Sequence, residues 1–118
     1  MILQQIPNAN LIHTRLNNKP EEVNLKAIKT MQKYFGKRIA FGNHCELKEV
    51  LFSAVALNPS DYFIYVKDED YHDNIPPDLN HAININFVDY YANTIKLLEK
   101  TMGSGEKTIE VNQIEGQE

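Results

Sequence analysis

Tryptophan is missing from the 118 residues, and cysteine occurs once, at Cys45. A lone cysteine excludes an intramolecular disulfide and a zinc site built on cysteine pairs, and it fits a reducing, cytoplasmic compartment. No run approaches the ~18 apolar residues that cross a bilayer, and MILQQIPNAN lacks the basic-then-apolar pattern of a leader. Neither a membrane nor secretion is therefore expected. Positive charge is scarce as well: 12 Lys and Arg against 16 Asp and Glu give a formal charge of −4. The basic residues are scattered, so nothing draws the chain to a nucleic-acid backbone or an anionic lipid surface. The glycine patterns GxGxxG and GxxxxGK[ST] are absent, which removes dinucleotide and nucleoside triphosphate sites of those kinds.

What is present suits one folded unit. Hydrophobic residues make up 42% and charged residues 24%, with five Gly and five Pro, an ordinary globular composition. The spacing predicts a single domain over 1–102 and an edge strand or flexible acidic tail over 103–118, after Gly103 and Gly105 stop the last helix.

Elements alternate in type along the chain. LIHTRL (11–16) reads as a strand, closed by the turn residues Asn17 to Pro20. A helix follows from Pro20, with Val23, Ala27, Met31 and Tyr34 on one face and Gly36 as its stop. RIAF (38–41) is a short strand. Leu47, Val50, Leu51, Ala54 and Val55 then repeat at helical spacing, until Asn58 before Pro59 ends that helix. Tyr62 to Val66 shows no alternation and reads as a strand covered on both faces. A polar loop (67–80) leads to AININF (82–87), whose alternation predicts a half-covered strand. Asp89 opens a final helix with Val88, Tyr91, Ile95, Leu98 and Met102 buried. The expectation is an α/β fold: a small, doubly wound, mostly parallel sheet of about four or five strands with helices on both faces, of the flavodoxin-like kind.

Two stretches, NPSDYFIYVKDEDY (58–71) and IPPDLNHAININFVDYYANTIKLLEK (75–100), resemble parts of bacterial Toll/interleukin receptor (TIR) domains, and the order of elements from Leu11 to Lys100 is compatible with that family. The resemblance implies a flavodoxin-like α/β fold and a role in signalling or defence assemblies. Family enzymes place a glutamate within a Trp-Cys-x-x-Glu run to act on NAD. Here there is no tryptophan, LIHTRL replaces the usual Phe-Ile-Ser strand end, and 67–74 is a loop. Glu69 lies outside that context, so the resemblance implies a shortened, non-catalytic relative with no cofactor.

The candidate site follows from strand position. In parallel sheets ligands gather beyond the carboxyl ends of the strands, and Asp68, Glu69, Asp70, Tyr71, His72 and Asp73 follow Tyr62 to Val66 directly. Carboxylates and imidazole suit a divalent metal, yet the run lacks the glycine and terminal glutamate of a calcium loop, so no metal is assigned and a solvated loop is the plainer reading. Tyr90 and Tyr91 join the candidate interface, since tyrosine offers large contact area at low entropic cost. His44 beside Cys45 invites a nucleophile reading, but adjacent side chains rarely face each other, and the pair reads as the entry to the second helix. His13 reads as a satisfied core or edge histidine. Three functions remain open: an interaction or assembly module with a protein partner or with itself, a binder or cleaver of a nucleotide-derived ligand such as NAD, and a small acidic inhibitor of a basic toxin.

Overall fold

The computed structural model describes residues 8–68 and 81–109. Five short strands, β1 (Ile12–Thr14), β2 (Ala40–Gly42), β3 (Tyr62–Phe63), β4 (Val66–Lys67) and β5 (Ile83–Asn84), accompany three helices: α1 (Lys26–Phe35), α2 (Lys48–Ser53) and α3 (Val88–Met102). Every strand pair is parallel, and the fold is α/β as the alternation of elements predicts. The sheets are β1-β2-β3 and β4-β5, with β3 and β4 separated only by Ile64 and Tyr65.

Strand order departs from the flavodoxin-like expectation, in which the first strand would lie between the second and the third. Here β2 is central, and both crossovers step the same way across the sheet. Right-handed crossovers taken in one direction put their helices on the same side. Packing agrees: Ile28 of α1 and Leu51 of α2 share one core cluster with Ile39 and Phe41 of the β2 segment. Within the described residues the winding is single.

Register assigns the faces. His13 is level with Phe41 and Phe41 with Tyr62, while Thr14 is level with Gly42 and Gly42 with Phe63. Because side chains alternate across a strand, Leu11, His13, Ile39, Phe41, Tyr62 and Ile64 face the helices. Ile12, Thr14, Ala40, Gly42, Phe63 and Tyr65 face away from them.

Tyr62 to Val66 is therefore not a strand covered on both faces. It breaks into β3 and β4, and Phe63, Tyr65 and Val66 are exposed at 58%, 45% and 44%. Its lack of alternation reflects large apolar residues on a helix-free face. The strand buried throughout is β2.

The helix expected from Pro20 divides in two. Pro20–Glu22 makes one 3-10 turn, Asn24 takes a left-handed conformation (φ 53°), and α1 begins only at Lys26. Asn is among the few side chains that enter that region at low cost, so the break is placed where the sequence tolerates it. The separated turn leaves Val23 buried and its carbonyl facing β1, where His13 Nε2–H donates to it at 2.9 Å. Gly36 ends α1 at φ 65°, its N–H donating to the Gln32 carbonyl at 2.9 Å.

α2 runs on as a 3-10 turn, Ala54–Leu57, and stops at Asn58 (φ 55°). The carbonyls left over at that stop are satisfied from two sides. Gln32 Nε2 donates to Leu57 and Asn58, and Arg38 donates to the Asn58 side chain and to the Asn58 and Pro59 carbonyls. This clamp sets where β3 begins, beside Ile39, whose carbonyl accepts from Ser60 N–H.

The predicted strand 82–87 keeps only Ile83–Asn84. Asn84 Oδ1 then accepts from Asn86 N–H and turns the chain into a 3-10 turn, Ile85–Phe87, that runs straight into α3. Local side-chain bonding of this kind competes with the strand ladder. Val88, Tyr91 and Ile95 of α3 pack on the core as expected, whereas Met102 at the helix end is exposed. Residues 103–109 carry no strand, and the rest of the expected tail lies outside the described residues.

Candidate functional site

Among the described residues no helix covers the other face of β1-β2-β3, which is a shallow concave surface. Its middle is made of small residues, Ala40 and Gly42, flanked by Ile12 and Thr14 on one side and Phe63 on the other. Gly42 is required by space: a Cβ there would lie 3.0 Å from Ile12 Cδ1 and 3.1 Å from Thr14 Cβ. The β1 side chains thus lean over the β2 backbone. Ile12 (41%) and Phe63 (58%) remain open to solvent, and hollows of about 480 and 650 Å³ lie along the face.

Three rings close its carboxyl end. The chain leaves β2 through Asn43, buried and held in a tight local loop: its Oδ1 accepts from Cys45 N–H at 3.1 Å, and its Nδ2 donates to the Cys45 carbonyl at 2.9 Å. Asn43 N–H also donates to the Phe63 carbonyl, extending the β2–β3 ladder by one bond. That turn carries His44 to 5.3 Å from Tyr65 and 4.7 Å from His81, centroid to centroid, with Tyr65 and His81 4.8 Å apart. Ile83 N–H donates to the Tyr65 carbonyl at 2.7 Å, which brings His81, two residues upstream, into the group. His81 is buried behind the other two rings, while His44 and Tyr65 line the hollow at this end of the face.

Chemically, the His44 imidazole and the Tyr65 phenol can stack against a planar group and hydrogen-bond to it. Among the described residues no group of three or more His, Cys, Asp or Glu stands close enough to hold a metal ion. Cys45 is 1% exposed within the core cluster, where a thiol packs as a small apolar group. Asn43 and His44 do not cap the following helix: Leu47 holds the N-cap position, with no side-chain cap bond.

On the opposite side, Tyr62 borders a cleft of about 370 Å³ between β3 and α3, with Ser60, Tyr91, Ile95 and Glu99. The Tyr62 hydroxyl is buried and has no hydrogen-bond partner among the described residues. Burial first and the nearby Glu99 carboxylate second push its pKa up to about 12, with Arg38 pulling the other way.

The expected site residues do not form this group. Asp68 is exposed just after β4; Glu69, Asp70, Tyr71, His72 and Asp73 lie outside the described residues. Tyr90 and Tyr91 stand on α3 against Phe52 of α2, with ring centroids at 6.3 and 5.6 Å, away from the concave face. Tyr90 is exposed and Tyr91 half-buried in the core rim. What the sequence does carry for the real group is position: His44 and Tyr65 each follow a parallel strand by two residues, the place where such sheets gather functional side chains.

No family model and no curated protein matches the chain. Among solved structures it is similar to a spore coat polysaccharide biosynthesis protein E from Chromobacterium violaceum, with a TM-score of 0.66 and 19% identity. That similarity covers 90% of this chain and 32% of the other, so this chain spans about a third of the length of the protein it matches. At this identity the likeness concerns the fold.

Proposed function

We propose that the chain is a non-catalytic assembly module of the cytoplasm that works by seating another polypeptide surface on its helix-free sheet face. One observation carries the reading: helices cover one face of β1-β2-β3, while the other exposes Ile12 and Phe63 in register over small residues. A sheet face of a parallel α/β unit is ordinarily covered on both sides, and an exposed apolar patch of this kind marks an interface. Resemblance to TIR domains points to the same class of function. The docking surface differs from the acidic loop that the sequence suggests.

A photo-crosslinking side chain placed at Phe63, compared with one at Lys29 on the outer surface of α1, tests this in producing cells. Crosslinks to a protein are expected at Phe63 and not at Lys29. Equal, background-level labelling at both positions would remove the reading.

The ring trio His44, Tyr65 and His81 favours a second reading, in which a nucleotide-derived ligand stacks at the carboxyl end of the face. A ligand that binds only the folded state raises its stability by RT ln(1 + [L]/Kd). Thermal shift with NAD and ADP-ribose checks this; no shift with either leaves the assembly reading alone.

A further inference from the structure

Strands β3 and β4 share a second edge, away from the rest of the sheet. In a parallel ladder the N–H and C=O of one residue point to the same side of the strand, and successive residues alternate. The carbonyls of Asp61 and Phe63 accept from the Phe41 and Asn43 N–H groups, and the Tyr65 carbonyl accepts from Ile83 N–H, so all three point to the edge occupied by β2 and β5. The N–H and C=O groups of Tyr62, Ile64 and Val66 therefore point to the opposite edge. Among the described residues no strand and no backbone group pairs with them there. Such a row of open ladder groups is a template for a further extended chain.

That edge has a wall beside it. Helix α3 lies beyond α2, with Tyr90 and Tyr91 against Phe52. Between α3 and the edge runs the cleft of about 370 Å³, lined by Ser60, Tyr62 and Ile64 from the strand and by Tyr91, Ala92 and Ile95 from the helix. None of the 15 residues of α3 is buried. Val88, Tyr91 and Ile95 pack on the core yet stay partly open, as in a helix that can cover one more strand than lies beneath it.

We propose that this groove is a second docking site, which takes an extended segment of a partner protein as an added strand on the edge of 62–66, alongside α3. In this mode of recognition main-chain pairing supplies affinity, and pockets for alternate side chains supply specificity. Alternate residues of the segment point into the cleft, where Ile64, Tyr91, Ala92 and Ile95 suit Val, Ile or Leu. Charge selects the flank: Asp61 and Glu99 line the cleft with Lys96, and the whole chain carries −4, which favours a Lys or Arg beside the apolar run. The described chain beyond α3, 103–109, is exposed along its length and does not line the cleft, so the segment is assigned to another protein. The site is independent of the concave face, because Tyr62 and Ile64 face the helices and Phe63 faces away from them.

Hydrogen exchange read by NMR on the full chain, with and without the peptide acetyl-Lys-Val-Thr-Val-Thr-Val-Lys-amide at millimolar concentration, tests the inference. Exchange is expected to slow about tenfold or more at the Tyr62, Ile64 and Val66 amides and to stay unchanged at Phe63 and Lys67, which face β2 and β5. The same peptide N-methylated at every Val and Thr keeps its side chains, loses its ladder donors, and should give no protection. Ala92→Arg, exposed on α3, should weaken binding about tenfold and keep the circular dichroism, while Phe63→Asp on the concave face should leave binding unchanged. Loss of binding with Phe63→Asp but not with Ala92→Arg would place the peptide on the concave face and overturn the groove. Unchanged exchange at saturating peptide would overturn the added strand. Amides of Tyr62, Ile64 and Val66 already slow in the chain alone would overturn the partner, assigning the edge to another part of this chain or, if the mass rises with concentration, to a second copy. The concave-face reading survives each of the last two results, since crosslinking at Phe63 tests it separately.

Discussion

The ring of His44, just beyond β2, lies 4.7 Å from the ring of His81, just before β5, and Tyr65 touches both. Two elements far apart in sequence are tied by this contact, and the smaller sheet is tied to the larger one through it. Aromatic contacts of this geometry contribute about 0.5–1.5 kcal/mol each beyond their buried area. His81→Ala removes two of them and opens a buried space, so it should cost about 2 kcal/mol and lower Tm by roughly 5–12 °C. His81→Phe keeps a ring in place and should recover most of that loss. A calorimetric scan showing no change for the alanine variant would mean that the trio is not packed.

Tyr62 places in a buried setting a hydroxyl that has no hydrogen-bond partner among the described residues, which costs free energy that phenylalanine would not incur. Tyr62→Phe should therefore leave stability unchanged or raise it by up to about 1 kcal/mol. The tyrosine itself supplies a pH signature. Its folded pKa, near 12, is above the ordinary value of 10.0, chiefly through burial and secondarily through Glu99. A raised pKa means that the folded state holds the phenolic proton more tightly than the unfolded chain does. The contribution to stability is thus complete below pH 10 and declines between about 10 and 12. An ultraviolet titration of the six tyrosines should show a late step near pH 12 that Tyr62→Phe deletes.

Legibility of this fold in the sequence follows the range of the forces involved. Helix stripes and stops are local, so Leu47 to Val55, the Gly36 stop and the Asn58-Pro59 break can be read directly from spacing. Strand order is not local. Nothing in LIHTRL, RIAF or YFIYV states which strand lies between the other two, and in the fold it is β2. The apolar run at 62–66 looks the same whether its second face is covered by a helix or left open, and among the described residues no helix covers it. His44 and His81 meet through a β4–β5 pairing of only two residues, a register that no periodicity announces.

Arg38 and Gln32 hold the left-handed turn at Asn58 by donating to its carbonyl and side chain, and to the Leu57 and Pro59 carbonyls. Hydrogen bonds from a charged donor contribute about 1.5–3 kcal/mol in buried settings and less where water competes, as it does around Arg38. Arg38→Met retains the aliphatic stem and loses the donors. It should destabilise the fold by about 1 kcal/mol and speed hydrogen exchange at Ser60 and Phe41, whose amides bond across the start of β3. Unchanged exchange at those two amides would show that the turn keeps its shape without the guanidinium.

Gly42 tests the concave face most sharply, because its constraint is steric and not conformational. A methyl group there meets Ile12 Cδ1 at 3.0 Å and Thr14 Cβ at 3.1 Å. The first is the free end of a side chain and can swing aside; the second sits next to the backbone and cannot. Gly42→Ala should then cost about 1 kcal/mol, and Gly42→Val, with two more carbons, about 2–3 kcal/mol. Shortening the neighbour in Ile12→Val should recover only part of the alanine cost, since the Thr14 contact persists. A double-mutant cycle of Gly42→Ala with Ile12→Val, read by denaturant unfolding, should give a favourable coupling of about 0.5 kcal/mol. Zero coupling would mean that Ile12 does not lean over β2, and the layer of large side chains above small ones would lose its basis.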